Sequence, residues 1–195
     1  MFDLNSNEFQ GTVIFNNGVG GKVENVDIAV ELKAPEQPDT YPAFKLVVTD
    51  ANGGKINQGF YYPTPRDGVS AEDNAKREKR EVGRVIHIAR AVMGADAQFP
   101  AVGTAKEAFD VLFKLIGEKA VGQKFNVFAT YGTTGYPSQY LGLRYFDFIE
   151  NAATPTGRLG AKPSDLLERV TEDTTEDPMD VPTTTNETPV QNWGV

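Results

Sequence analysis

Apolar and polar residues alternate from Val23 to Lys33. Val26, Ile28, Val30 and Leu32 fall on one side, and Asp27, Ala29, Glu31 and Lys33 on the other. A period of two is the pattern of a strand with one face buried. Phe44 to Thr49 repeats it, ANGGK supplies the glycines of a tight turn, and Ile56 to Tyr62 returns as the partner strand of a hairpin. Upstream, TVIF (12–15) reads as a further short strand before the glycine-rich loop NNGVGG. The stretch APEQPDTYP, with its three prolines, is a loop.

The period then becomes helical. Ser70 followed by Asp73 resembles a capping box, and Val82, Val85, Ile86, Ala89 and Val92 keep one apolar stripe up to Gly94. Thr104 and Glu107 form a better box. Phe109, Leu112, Phe113 and Ile116 follow as a buried face, and Gly117 is expected to stop that helix. KFNVFATY (124–131) and QYLGLRYFDFIE (139–150) read as two last strands around the turn GTTGYPS. No βαβ alternation is visible, so the class expected is mainly β (α+β) with antiparallel pairing. The order is that of an oligonucleotide-binding (OB) barrel with a helical insertion between the third and fourth strands. A two-sheet sandwich with helical inserts fits the same order.

Charge divides the chain in two. The net charge is −8, yet residues 165–195 hold eight acids and one base, leaving residues 1–164 with 19 acids and 18 bases. From Thr171 onward there are six carboxylates, no lysine or arginine, and too little apolar surface to offset the entropy of ordering. The expected organisation is a folded domain over 1–160 and a flexible, acidic, Thr/Pro-rich tail over 161–195. No apolar run approaches the roughly 20 residues of a spanning helix, and the start MFDLNSNEF has no basic or apolar signal region. Cysteine is absent, which fits a reducing compartment, and a cytoplasmic location is expected.

Catalytic chemistry finds little to use. With one histidine, His87, and no cysteine, a zinc ligand set cannot be assembled, and His87 between Ile86 and Ile88 reads as structural. Gly20-Gly21-Lys22 invites a phosphate-loop reading. It fails because Asn16 stands where the first glycine belongs and Val23 follows the lysine. Asp147 with Glu150 is the nearest approach to a magnesium-binding acid pair. No enzyme activity, metal or cofactor is expected.

Aromatic rings interleaved with cations are the more informative set. In GFYYP, Tyr61 faces opposite to Phe60 and Tyr62; on the last strand Tyr140, Arg144, Phe146 and Phe148 share one face, with Tyr136 beside the partner strand. Such a face suits stacking of unpaired bases, with cations following the phosphates. Tyr61, Tyr62, Tyr136, Tyr140 and Phe146 are the expected stacking residues, and Lys45, Lys55, Lys124 and Arg144 the expected phosphate contacts. Lys76, Arg77, Lys79 and Arg80 of AKREKREVGR form a secondary basic rim, although Glu78 and Glu81 partly neutralise the segment and a solvated helix face is the simpler reading of it. At the other end, Trp193 tips the acidic tail. Asp173, Glu176, Asp177, Asp180 and Trp193 are expected to bind a partner protein, the acids also competing with a polyanion for the basic groove.

The layout of barrel, helical insertion and acidic tail tipped by an aromatic residue resembles the single-stranded DNA-binding proteins of bacteriophages. Here Gly194 and Val195 follow the aromatic residue, and the tail is richer in threonine and sparser in acids than in that family. The resemblance implies a protein that coats single-stranded DNA, or RNA, during replication and recombination and recruits replication enzymes through its tail. The alternative is a virion structural or assembly protein with a β-rich body and a flexible tail.

Overall fold

A computed structural model of the chain describes residues 13–38, 40–131, 139–143 and 147–160. Its strands are β1 (Gly21–Leu32), β2 (Phe44–Thr49), β3 (Lys55–Phe60), β4 (Phe125–Tyr131), β5 (Gln139–Leu141) and β6 (Ile149–Asn151). Two helices, α1 (Ala71–Met93) and α2 (Ala105–Lys119), lie between β3 and β4. All pairings are antiparallel, in the order β3-β2-β1-β4-β5, with β6 also on β4. Three successive strands and a fourth that returns beside the first make a Greek key. The α+β class and the place of the helical insertion are as expected. A closed barrel is not formed: β3 and β5 approach each other, but no ladder joins them among the described residues.

β1 pairs on both of its edges. Its second half pairs with β2 and its first half with β4, and a bulge lies between Val23 and Val26. Residues three apart on a regular strand face opposite ways. The extra residue lets Val23 and Val26 both enter the core, where they are 7% and 0% exposed. Asn25 takes the left-handed conformation that the bulge needs (φ 58°), and asparagine tolerates it better than most residues. Its N–H donates to Asn126 Oδ1 at 3.3 Å.

Asn126 leads from the bulge to a buried carboxylate. Its amide donates to Glu150 Oε1 at 3.0 Å, and Glu150 Oε2 accepts from the Thr156 N–H (2.7 Å) and hydroxyl (2.9 Å). Lys22 Nζ stands 3.8 Å away. Burial pushes the Glu150 carboxyl up, but the Asn126 and Thr156 donors and the Lys22 charge outweigh it and hold the group below its ordinary 4.5. A depressed carboxyl contributes stability that is fully present above its unfolded value and lost as pH falls through the folded one. The wild type should therefore lose stability on acidification below pH 4.5, whereas Glu150→Gln starts less stable at neutral pH and falls less steeply. Urea midpoints measured across that range check this; parallel curves for the two proteins would contradict it.

The expected strand at TVIF is replaced by a tight turn over Phe15–Gly18, in which Asn16, Asn17 and Gly18 all have positive φ. Asp50 ties this turn to the β2–β3 hairpin, accepting from the N–H groups of Asn16, Asn52 and Gly54 at 2.6, 2.8 and 2.9 Å. The turn presses so closely on the hairpin that a Cβ on Gly54 would lie 2.6 Å from the Phe15 Cα.

Both helix starts are as the sequence indicates. The Ser70 hydroxyl accepts from Asp73 N–H, and Thr104 and Glu107 complete a reciprocal capping box. Gly117 does not stop α2, which runs on to Lys119; the left-handed residue after the helix is Gly122 (φ 78°). Phe109, Leu112, Phe113 and Ile116 are buried as expected. Phe113 stacks on Phe44 of β2 at 4.4 Å and meets Phe60 of β3 at 5.1 Å, fastening α2 under the first hairpin.

The expected continuous strand over 139–150 is divided. Leu141 pairs with Ala129, but Ile149 rather than Leu143 pairs with Val127, so the register on β4 jumps by six residues between β5 and β6. Phe148, expected on an outward aromatic face, is 1% exposed and packs 5.1 Å from the His87 ring. His87 Nε2 lies 3.1 Å from the Ile149 carbonyl, which joins α1 to β6.

Candidate nucleic-acid interface

The inner side of the first three strands is settled by burial. Ile28, Phe44, Leu46, Val48, Ile56 and Phe60 point to the core and the helices. By alternation the other side carries Asp27, Ala29 and Glu31 from β1, Lys45, Val47 and Thr49 from β2, and Lys55, Asn57 and Gly59 from β3. The registers place Glu31 beside Lys45 beside Gly59, and Asp27 beside Thr49 beside Lys55. Lys45 and Lys55 therefore stand about 13 Å apart along the strands. Neither forms an ion pair among the described residues. Val47, 6% exposed between Ala29 and Asn57, makes an apolar floor between them.

Tyr61 continues this face one residue past β3 and is 56% exposed. The absence of a side chain at Gly59 shapes its surroundings. A Cβ there would meet Pro42 at 3.1 Å and the Tyr61 ring at 3.8 Å, so Pro42 and Tyr61 lie along the bare backbone of β3. Tyr41, 47% exposed, precedes Pro42. Half-buried Pro42 and exposed Tyr61 over a glycine form a shelf beside Lys45. Tyr41, Pro42 and Asn57 were not singled out by the sequence pattern, and the only signal for the first two was the proline pair bracketing DTY.

The other expected contacts separate. Tyr62 faces inward: its ring meets Phe44 edge-on at 5.7 Å, its hydroxyl donates to Asp110 Oδ1 at 2.5 Å, and Lys106 Nζ sits 4.7 Å over its face. Burial, then the Asp110 acceptor, push its phenol up. These contacts fix the β3 exit to α2, and the ring is not free to stack. Lys124 Nζ is 2.7 Å from Asp27 Oδ2, so its charge is already engaged. Tyr140, 41% exposed, stands opposite Thr130 on the far edge of the sheet.

On α1, Lys76 pairs with Glu72 at 2.7 Å, Arg77 donates to the Thr64 carbonyl, and Arg80 lies 3.8 Å from Glu81. Lys79 is exposed and has no ion pair among the described residues. Most of this basic rim is thus matched by its own helix or by the preceding loop. Lys22, from the rejected phosphate loop, pairs with Glu24 at 3.0 Å. Tyr136, Arg144, Phe146, Asp173, Glu176, Asp177, Asp180 and Trp193 lie outside the described residues. No group of three or more histidine and acidic side chains among the described residues is placed to hold a metal ion, and none of the described helices is long and apolar enough to cross a membrane. Comparison with protein families, curated proteins and solved structures finds no match for this chain.

Proposed function

We propose that this chain binds single-stranded nucleic acid on the outer face of β2 and β3, coating single-stranded DNA without catalysing a reaction on it. One observation carries the reading: an exposed aromatic shelf, Tyr61 with Pro42 over Gly59, shares a sheet face with Lys45 and Lys55, neither of them in an ion pair among the described residues. Stacking of a base on an aromatic ring tolerates any sequence, and lysines beside it neutralise phosphates. A duplex hides its base faces and gains only the charge contacts.

The Greek-key order, with β3 and β5 drawn together, supports an OB-like strand arrangement, although no ladder closes the sheet into a barrel among the described residues. In that fold the faces of the second and third strands are a usual site for oligonucleotides. Tyr140 belongs to the same proposal as a second stacking position on β5. The acidic segment containing Asp173, Glu176, Asp177, Asp180 and Trp193 serves in it as the docking element for replication or recombination proteins.

The test is titration of labelled single-stranded and duplex oligonucleotides with the full chain and with Lys45→Gln/Lys55→Gln. Tighter binding to the single strand, weakened by the double substitution, supports the proposal. Equal binding to both forms, or no binding, rejects it.

A further inference from the structure

The outer face is graded in charge. β1 contributes Asp27 and Glu31, β2 contributes Lys45, and β3 contributes Lys55 and the Tyr61 shelf. Two carboxylates on one strand repel a phosphate backbone, and the registers set Glu31 directly beside Lys45 and Asp27 one strand away from Lys55, across Thr49. Asp27 does more than repel. Its Oδ2 holds Lys124 Nζ at 2.7 Å, although the two side chains are 58% and 52% exposed and have room to move.

We propose that Asp27 and Glu31 form an acidic border that confines the nucleic-acid strand to a track along β3, and that Asp27 withholds Lys124 from the phosphates. This rests on the function proposed above and adds which residues set its path and limit its affinity. The strand runs along β3 because Lys55, Asn57, Gly59 and Tyr61 lie in one line on that side. Lys45 flanks the line from β2, and crossing towards β1 meets Glu31 beside Lys45 and Asp27 beyond Thr49. A border of this kind keeps binding weak enough for a coating protein to be displaced.

The experiment measures the affinity of a labelled single-stranded oligonucleotide across salt concentrations for the wild type, Asp27→Asn, Glu31→Gln and Glu118→Gln. Glu118 is exposed on α2, which packs against the other side of the sheet, so its substitution makes the same change in net charge away from the track. Glu31→Gln should tighten binding about two- to five-fold at low salt, the scale of one exposed charge contact. Asp27→Asn should tighten it at least as much and steepen the salt dependence by about 0.7 in log–log slope, because Lys124 becomes a further phosphate contact. Glu118→Gln should bind as the wild type does. Equal tightening by all three variants, or an unchanged affinity and slope for Asp27→Asn, overturns the border while leaving the binding function standing. Failure of the wild type itself to bind removes both.

Discussion

Tyr61→Ala weakens single-strand binding by roughly five- to 150-fold, the equivalent of the 1–3 kcal/mol that one stacked base contributes. The ring is the exposed end of the shelf and makes no aromatic pair with the core among the described residues, so its loss leaves the fold intact. Tyr61→Phe keeps most of the affinity, because stacking uses the ring and not the hydroxyl. Neither variant alters the salt dependence, since no charge is removed. Tyr62→Ala makes the informative contrast. It removes ring contacts to Phe44 and Phe109 and the hydrogen bond to Asp110, so it lowers the unfolding midpoint before it changes binding. Oligonucleotide titration and urea unfolding on the same variants separate the two residues. Unchanged affinity in Tyr61→Ala would remove the shelf from the account.

The largest effect on stability is expected at Phe113. Its side chain is fully buried, stacked on Phe44 at 4.4 Å with the planes 10° apart, and also in contact with Phe60 (5.1 Å) and Phe109 (5.8 Å). Truncation to alanine removes the apolar burial, leaves a cavity and breaks three ring contacts, a loss of about 3–5 kcal/mol. Phe113→Leu fills more of the space and costs less. The consequence reaches the binding face, because Phe44 precedes Lys45 and Phe60 precedes Tyr61. Their inward rings hold the two strands whose outward residues form the track. Urea unfolding gives the stability change; a loss below about 1 kcal/mol would mean that α2 is not fastened through this ring.

Local chemistry made much of this architecture legible in the sequence. Ser70 and Thr104 identify both helix starts because a hydroxyl cap followed three residues later by an acid satisfies exposed N–H groups whatever the tertiary context. Phe44–Thr49 is a strand to the residue, since its alternation matches a half-buried surface. What escaped was set at a distance. Phe15 is apolar and follows Ile14, yet the chain turns there because Asp50, far along the sequence, takes the Asn16 amide and Gly54 leaves room for the backbone. Gly117 has the look of a helix stop, but packing of α2 over Val30 carries the helix past it. Alternation from Gln139 to Glu150 is interrupted only at Asp147, yet pairing with β4 omits six residues from its middle.

The candidate face was legible in the same uneven way. Lys45, Lys55 and Tyr61 follow from period-two reading of two short strands and meet on one surface. Engagement is invisible to such a reading. Tyr62 and Lys124 have the right side chains, but Asp110 and Asp27 hold them, and neither partner is near in sequence. Pro42 and Asn57 carry no charge or aromatic ring; Asn57 takes its place on the face through register with Val47, and Pro42 by lying against Gly59.

The central claim is that β2 and β3 present a single-strand track built on Lys45, Lys55 and Tyr61. It is tested most directly by the salt dependence of single-strand and duplex binding, comparing the wild type with Lys45→Gln/Lys55→Gln. The account predicts tighter binding to the single strand at every salt concentration and a log–log slope shallower by about 1.4 in the double variant, two phosphate contacts at about 0.7 each. Identical slopes for the two proteins, or no preference for the single strand, would contradict it.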